Sequence, residues 1–265
     1  MAEAGRNGAV RWARRAAGHL WRSAYEAVGL TSFGTITSVA TERPWVALTF
    51  DDGPDPDWTP RVLDLLDRYR AKATFFVVGD RAARYPDVMR RLHEDGHAIG
   101  NHSHTHPSFP LIGSSERARQ LQACAAALAP YPQQRKLFRP PHLAQDRASR
   151  CLTWLHGYEV VACSRHAHDW EDIDGSQMTR NLAELNPGDI VMLHDSIYEE
   201  PSRSRAAMLE ALDTVLQREA KRLTFVTVPT MLAAGRPRRR IWLKRAPTDR
   251  RSTVAPRGGR RAADE

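Results

Sequence analysis

The chain has 265 residues, 42% of them hydrophobic, and a formal net charge of +8. That suits one sizeable domain or two small ones. Cys124, Cys151 and Cys163 are too few and too irregular for a disulfide framework or a CxxC metal site, and the chain has no run of about 18 apolar residues, which excludes a transmembrane helix.

The charge is uneven. Residues 1–25 hold five arginines against one acid, and residues 236–265 hold eleven Lys or Arg against three acids. The body between them is net acidic. An anionic neighbour, lipid headgroups or nucleic acid, is therefore expected at the ends only. No nucleic-acid motif accompanies the arginines, so no specific nucleic-acid partner is expected. No secretory leader is visible either. The expected location is cytoplasmic, with membrane association through the basic ends as a variant.

In chain order, Val10, Ala13, Ala17, Ala24 and Val28 recur at helical spacing, with Arg11, Arg14, Arg15 and Arg22 on the other face. Residues 1–41 thus read as a basic amphipathic helix and lead-in, packed on its own domain or lying on a membrane. Residues 42–235 read as one domain. WVALTF (45–50) is a strand, TPRVLDLLDRYR (59–70) a helix capped by Thr59-Pro60, and ATFFVVG (73–79) a strand. PDVMRRLHEDG (86–96) is a helix, HAIGN (97–101) a strand, and 114–130 a long helix. KLFRP (136–140) and YEVVACS (158–164) are strands, SQMTRNLAEL (176–185) a helix, and DIVMLHD (189–195) a strand. Residues 201–220 form a helix and LTFVTVP (223–229) the last strand. Strand and helix alternate about seven times, which predicts a parallel α/β sheet, closed as a barrel rather than open. From Arg236 onward the chain is rich in Arg, Pro and Gly without periodicity. Residues 236–265 read as a mostly disordered tail in which IWL (241–243) docks locally.

In such barrels chemistry gathers at the carboxyl ends of strands. Those ends are unusually polar here. WVALTF is followed by Asp51-Asp52, HAIGN by HSHTH, KLFRP by Pro141-His142, YEVVACS by RHAHDW, and DIVML by His194-Asp195. His102 and His106 lie one turn apart, so both imidazoles can reach one ion. Asp51 or Asp52 can supply a carboxylate, completing a hydrolytic metal site with open positions. The other aspartate is then free to take a proton, and a cation removes the repulsion between neighbouring carboxylates. Alone, DDG is an ordinary turn and HxxxH two surface histidines; His104 is such a bystander. Non-haem iron oxygenases also use two His and one carboxylate. The HxD at His93 and Asp95 falls on a solvent-facing helix end and is discounted. There is no G-x-S-x-G nucleophile elbow.

TFDDGP, ATFFVVG, GHAIGNHSHTHP, FRPPH, DW and DIVMLHD, in that order, resemble the polysaccharide deacetylases, the NodB-homology group of carbohydrate esterases. The resemblance spans roughly 42–232. It implies a distorted (β/α) barrel of about seven parallel strands and metal-dependent removal of acyl groups from amino sugars. The metal it implies is divalent, first of all Zn2+. Asp51 resembles the general base, and Asp52, His102 and His106 the metal ligands. Arg139 resembles the arginine that orients the base. His142 stands where an aromatic residue, commonly Tyr, donates its backbone N–H to the oxyanion. Asp169 matches the residue orienting His194, the general acid. Trp170 walls the acetyl pocket, and Leu193 is part of it. His142, Leu143, His166 and Met192 depart from the usual pattern. The implied partner is an amino-sugar glycan, as oligosaccharide, polysaccharide or lipid-linked sugar, with deformylation as a variant. The alternative is an inactive carbohydrate-binding or regulatory protein on the same scaffold.

Overall fold

The computed structural model describes residues 33–244. The expected N-terminal helix and the chain beyond 244 lie outside the described residues. Strands are numbered β1 Thr35–Ala40, β2 Trp45–Asp51, β3 Ala73–Val77, β4 Ala98–Asn101, β5 Leu137–Phe138, β6 Glu159–Val160, β7 Arg165–His166, β8 Ile190–His194, β9 Thr224–Phe225 and β10 Arg236–Arg240. Helices are α1 Trp58–Arg68, α2 Gly79–Arg84, α3 Pro86–Glu94, α4 Ser114–Leu128, α5 Arg147–Leu155, α6 Gly175–Asn181, α7 Ala206–Glu219 and α8 Val228–Ala234.

Seven parallel strands form one curled sheet in the order β6-β5-β4-β3-β2-β8-β7, and β9 pairs with the start of β2. The edge strands β6 and β7 belong to one extended run, 159–166. Its beginning pairs with β5 and its end with β8. One segment thus touches both sides of the gap, which gives the sheet its half-barrel curl.

Strand alternation sorts side chains between two cores. On β2, Val46, Leu48 and Phe50 face the helices, joined by Leu66 of α1 and Leu212 and Leu216 of α7. Ala47 of β2, Phe76 of β3 and Ile190 and Met192 of β8 form the inner core, with Val228 and Met231 of α8. Burial on both faces is why these strands read as continuous apolar runs.

Several local expectations are corrected. Strand β3 ends at Val77, and Gly79 opens α2 instead of closing the strand. A Cβ on Gly79 would lie 2.6 Å from His104 Nδ1 and 2.7 Å from Cys124 Cα, so close packing demands glycine there. Helix α1 begins one residue before Thr59. Its first N–H groups are served by Asp55, whose Oδ1 accepts from Asp57 and Trp58. The last expected strand is cut to Thr224–Phe225, because Thr227 caps α8, accepting from Thr230 N. Helix α5 falls where the sequence pattern predicts no element, and it is held by a capping box between Asp146 and Ser149.

The largest correction concerns residues 236–244, read as tail. Arg236–Arg240 form β10, antiparallel to β1. Gln145 and Lys244 then exchange backbone hydrogen bonds. Strand β1 in turn bridges the barrel through Ile36–Val161 and Ser38–Asp189. The ordered domain therefore extends on both sides of the expected 42–235. An edge strand needs only backbone pairing, so exposed arginines do not prevent it.

Candidate active site

Register and alternation assemble the site. Asp51 and His194 are paired neighbours at the ends of β2 and β8, and both side chains follow the inner face. Asp52 has φ 73°, a left-handed conformation that aspartate tolerates. The backbone therefore turns at Asp52, and the two adjacent carboxylates go to different partners. Ser103, His106, His142, Leu143 and His168 also have positive φ. Six of the seven described non-glycine residues in that region thus border one place, the pattern of backbone strain at functional sites. Gly53 completes the turn: a Cβ there would come within 2.2 Å of Asp195 Oδ2.

Asp51 accepts from Arg139 Nη1 at 2.7 Å. Arg139 is fully buried, and every arm is used. Nη1 also donates to Thr49 Oγ1 at 2.7 Å, Nε to the Val161 carbonyl at 3.2 Å, and Nη2 to the Ala162 carbonyl at 2.8 Å. Its plane lies over Phe76, 4.2 Å from the ring centre. The base candidate is therefore held by a side chain that cannot move independently.

His102 Nδ1 donates to the Arg139 carbonyl at 2.7 Å, and His106 Nδ1 donates to Glu199 Oε1 at 2.7 Å. Both acceptors lack protons, so both rings direct Nε2 inward. Those nitrogens lie 3.3 Å and 3.0 Å from Asp52 Oδ1, a buried oxygen with no hydrogen-bond donor. Three ligand atoms converge on one point. Their lone pairs repel unless a positive charge lies between them. Burial raises the cost of charging Asp52, yet His106 and His102 hold its carboxyl well below the usual range. Burial likewise opposes charging His106, and Asp52 and Glu199 overcome it, pushing its pKa up to about 10. The pocket seeks a cation, and its N₂O donor set fits a divalent metal such as zinc.

On the opposite side, His194 Nδ1 meets Asp169 Oδ1 at 3.0 Å. Asp169 Oδ2 accepts from the His194 amide at 2.8 Å and from Arg205 Nη2. Burial disfavours the imidazolium, but Asp169 first, then Asp52 and Asp51, raise the His194 pKa to about 9. Burial also works against the Asp169 charge, which His194 and Arg205 keep below its ordinary range. Trp170 stands edge-on to His194, 5.5 Å between ring centres.

Asp51, Asp52, His102, His106, His194 and Glu199 line a cavity of about 820 Å³, as do His142 and Trp170, whereas the buried Arg139, Asp169 and Arg205 do not. Leu193 does not. It is buried in the outer core with Phe50, because it lies one position out of phase with His194. Met192, in phase, takes the cavity wall. Burial first, then His106, hold the His142 pKa down at about 4, so its ring is neutral beside the site. His93 is exposed on α3, away from these groups. Glu199, Arg205 and Thr49 escaped the sequence reading. Glu199 follows the strand-end motif in a segment without pattern, and Arg205 was counted as one helix residue among many. No described helix is long and apolar enough to cross a membrane.

A family model described as polysaccharide deacetylase matches residues 38–161. The peptidoglycan-N-acetylglucosamine deacetylase of Bacillus cereus is 32% identical over 201 residues, 73% of this chain and 70% of that protein. The chitooligosaccharide deacetylase of Sinorhizobium fredii is 36% identical over 165 residues, 61% of this chain and 76% of that protein. Among solved structures, a peptidoglycan N-acetylglucosamine deacetylase shares the fold with a TM-score of 0.69 at 29% identity, covering 76% of this chain and 94% of that one. The chain belongs to the polysaccharide deacetylase family.

Proposed function

We propose that this protein hydrolyses the N-acyl group, acetyl first of all, of an amino sugar in an oligosaccharide, polysaccharide or lipid-linked glycan. Asp52, His102 and His106 would hold a divalent metal, zinc by the donor set. The observation that carries the reading is the juxtaposition of three convergent ligand atoms with Asp51 and His194 on paired strand ends. The relatives named for peptidoglycan and chitooligosaccharide deacetylation support an N-acetylated glycan as the substrate class.

A bound metal supplies Lewis acidity and makes water acidic enough to act as a nucleophile near neutral pH. The chain's own groups do the rest. Asp51, fixed by Arg139, takes the proton of the attacking water. By its resemblance to the family's oxyanion donor, the backbone N–H of His142 would serve the oxygen on which negative charge develops, a contribution of about 3–4 kcal/mol for one donor. His194 is protonated at neutral pH because Asp169 stabilises the imidazolium, and it gives that proton to the departing nitrogen. Trp170 and Met192 wall the acyl group.

The test is acetate release from N-acetylated sugar oligomers by zinc-loaded protein, with Asp51→Asn as control. Release abolished by the substitution supports the reading. Absence of both release and zinc uptake in folded protein would refute it and leave carbohydrate binding without catalysis.

A further inference from the structure

The cavity wall contains a feature that the deacylation chemistry leaves unused. The strap 236–244 carries Arg240, Trp242 and Lys244 into the lining of the same cavity. It is firmly attached there. Trp242 Nε1 donates to the Leu143 carbonyl at 3.1 Å, and Gln145 Nε2 donates to the Trp242 carbonyl at 2.7 Å.

The charges of this cavity do not balance locally. Each acid that lines it has a cationic or proton-donating partner: Asp51 has Arg139, Asp52 has the Tyr198 amide, Glu199 has His106, and Glu200 has Arg203. Arg203 is further occupied by the Trp170 and Glu171 carbonyls. Arg240 and Lys244 differ. Neither forms an ion pair with any described carboxylate. Lys244 Nζ makes one hydrogen bond, to the His142 carbonyl at 3.2 Å. An ammonium has three donors, so two remain for a ligand. The Arg240 fork has no described partner, and its planar donors match phosphate or carboxylate oxygens. The cavity, at about 820 Å³, falls within the roughly 300–1,000 Å³ of sites that enclose drug-sized ligands. That leaves room for a sugar and a charged substituent together.

We propose that Arg240 and Lys244 form a subsite for an anionic substituent, phosphate or carboxylate, carried by the amino sugar whose nitrogen reaches the catalytic groups. The inference rests on the amino-sugar reading and adds the charge class of the ligand. The strap selects an acidic sugar over a neutral one, and the indole of Trp242 offers an apolar face beside the charged pair.

The experiment separates this subsite from catalysis by measuring binding without turnover. Full-length zinc-loaded Asp51→Asn protein is titrated calorimetrically with N-acetylglucosamine, N-acetylglucosamine 1-phosphate and N-acetylmuramic acid. At least one acidic sugar is expected to bind about tenfold or more tightly than the neutral one, as charge-assisted hydrogen bonds allow. A preference for the phosphate sugar identifies phosphate as the substituent, and a preference for the muramic acid identifies carboxylate. The ratio of acidic to neutral affinity should fall towards one in Arg240→Gln/Lys244→Gln. Both residues are exposed, and unchanged thermal melting verifies the fold. No acidic sugar binding more tightly than the neutral one, or a preference that survives the double substitution, overturns the proposal. Acetate release by the unsubstituted protein is scored separately, so failure of the deacylase reading is distinguishable.

Discussion

Replacing Asp169 by Asn tests the acid role of His194 with little change of shape. Asp169 Oδ2 serves the His194 amide and Arg205, both obligatory donors. The Asn oxygen must take that position, which turns the amide NH2 towards His194 Nδ1. A ring nitrogen facing a donor must accept, so the imidazolium loses its partner and the other tautomer is favoured. The folded pKa of about 9 then falls towards the ordinary 6.5. At pH 8 the protonated fraction drops from about nine-tenths to about three-hundredths, roughly a thirtyfold loss of general acid. Asp51 and Asp52 still attract the proton, so thirtyfold is an upper bound. The assay is the pH profile of kcat for acetate release, checked by NMR titration of His194. The alkaline limb should move down by as much as about two and a half pH units. A limb unmoved in the variant, with His194 still titrating near 9, would refute the assignment.

Four further outcomes are expected. Chelation should abolish acetate release and zinc restore it, while zinc at a hundred times its dissociation constant should stabilise the fold by about 2.7 kcal/mol in thermal or urea melts. Glu199→Ala removes the acceptor of His106 Nδ1, and calorimetry should find zinc bound about 10–100-fold more weakly. Arg139→Met leaves Asp51 buried and unpaired and frees two carbonyls, so urea melts should show a loss of about 3–5 kcal/mol. Because the His194 pKa is raised on folding, its pairing with Asp169 stabilises fully below about 6.5 and is lost as pH rises through about 9. The same melts in wild type and Asp169→Asn should converge across that window.

The barrel and the gathering of Asp51, Asp52, His102 and His106 in one place were legible because both follow from local pattern. Apolar runs end in polar clusters, and a parallel sheet gathers those ends at one rim. Leu193 was misplaced for want of one step: counting back from His194 by strand period reaches Met192, not Leu193. Glu199 and Arg205 were less accessible. Glu199 meets His106 across 93 positions of sequence, and Arg205 meets Asp169 across 36. Nothing in IYEE or SRSR marks either residue as a partner. The strap was misread because composition reports the solvent, whereas β10 is held by its pairing with β1 some 200 residues earlier.

The adjacent acids show how the backbone divides labour between identical side chains. Two aspartates in regular extended conformation would point to opposite faces of β2, one into the cavity and one among helices. The outer position would bury a carboxylate beside Phe50 and Leu193 without a cation, which is costly. The left-handed turn at Asp52 avoids that by ending the strand and returning the second carboxylate to the same rim. Asp51 stays on the inner face, where Arg139 spans from β5 to meet it. Asp52 is carried to the histidines and anchored by the Tyr198 amide at 3.0 Å. The two positions therefore have different partners, and the glycine that follows is part of the same device, since a side chain there would strike Asp195.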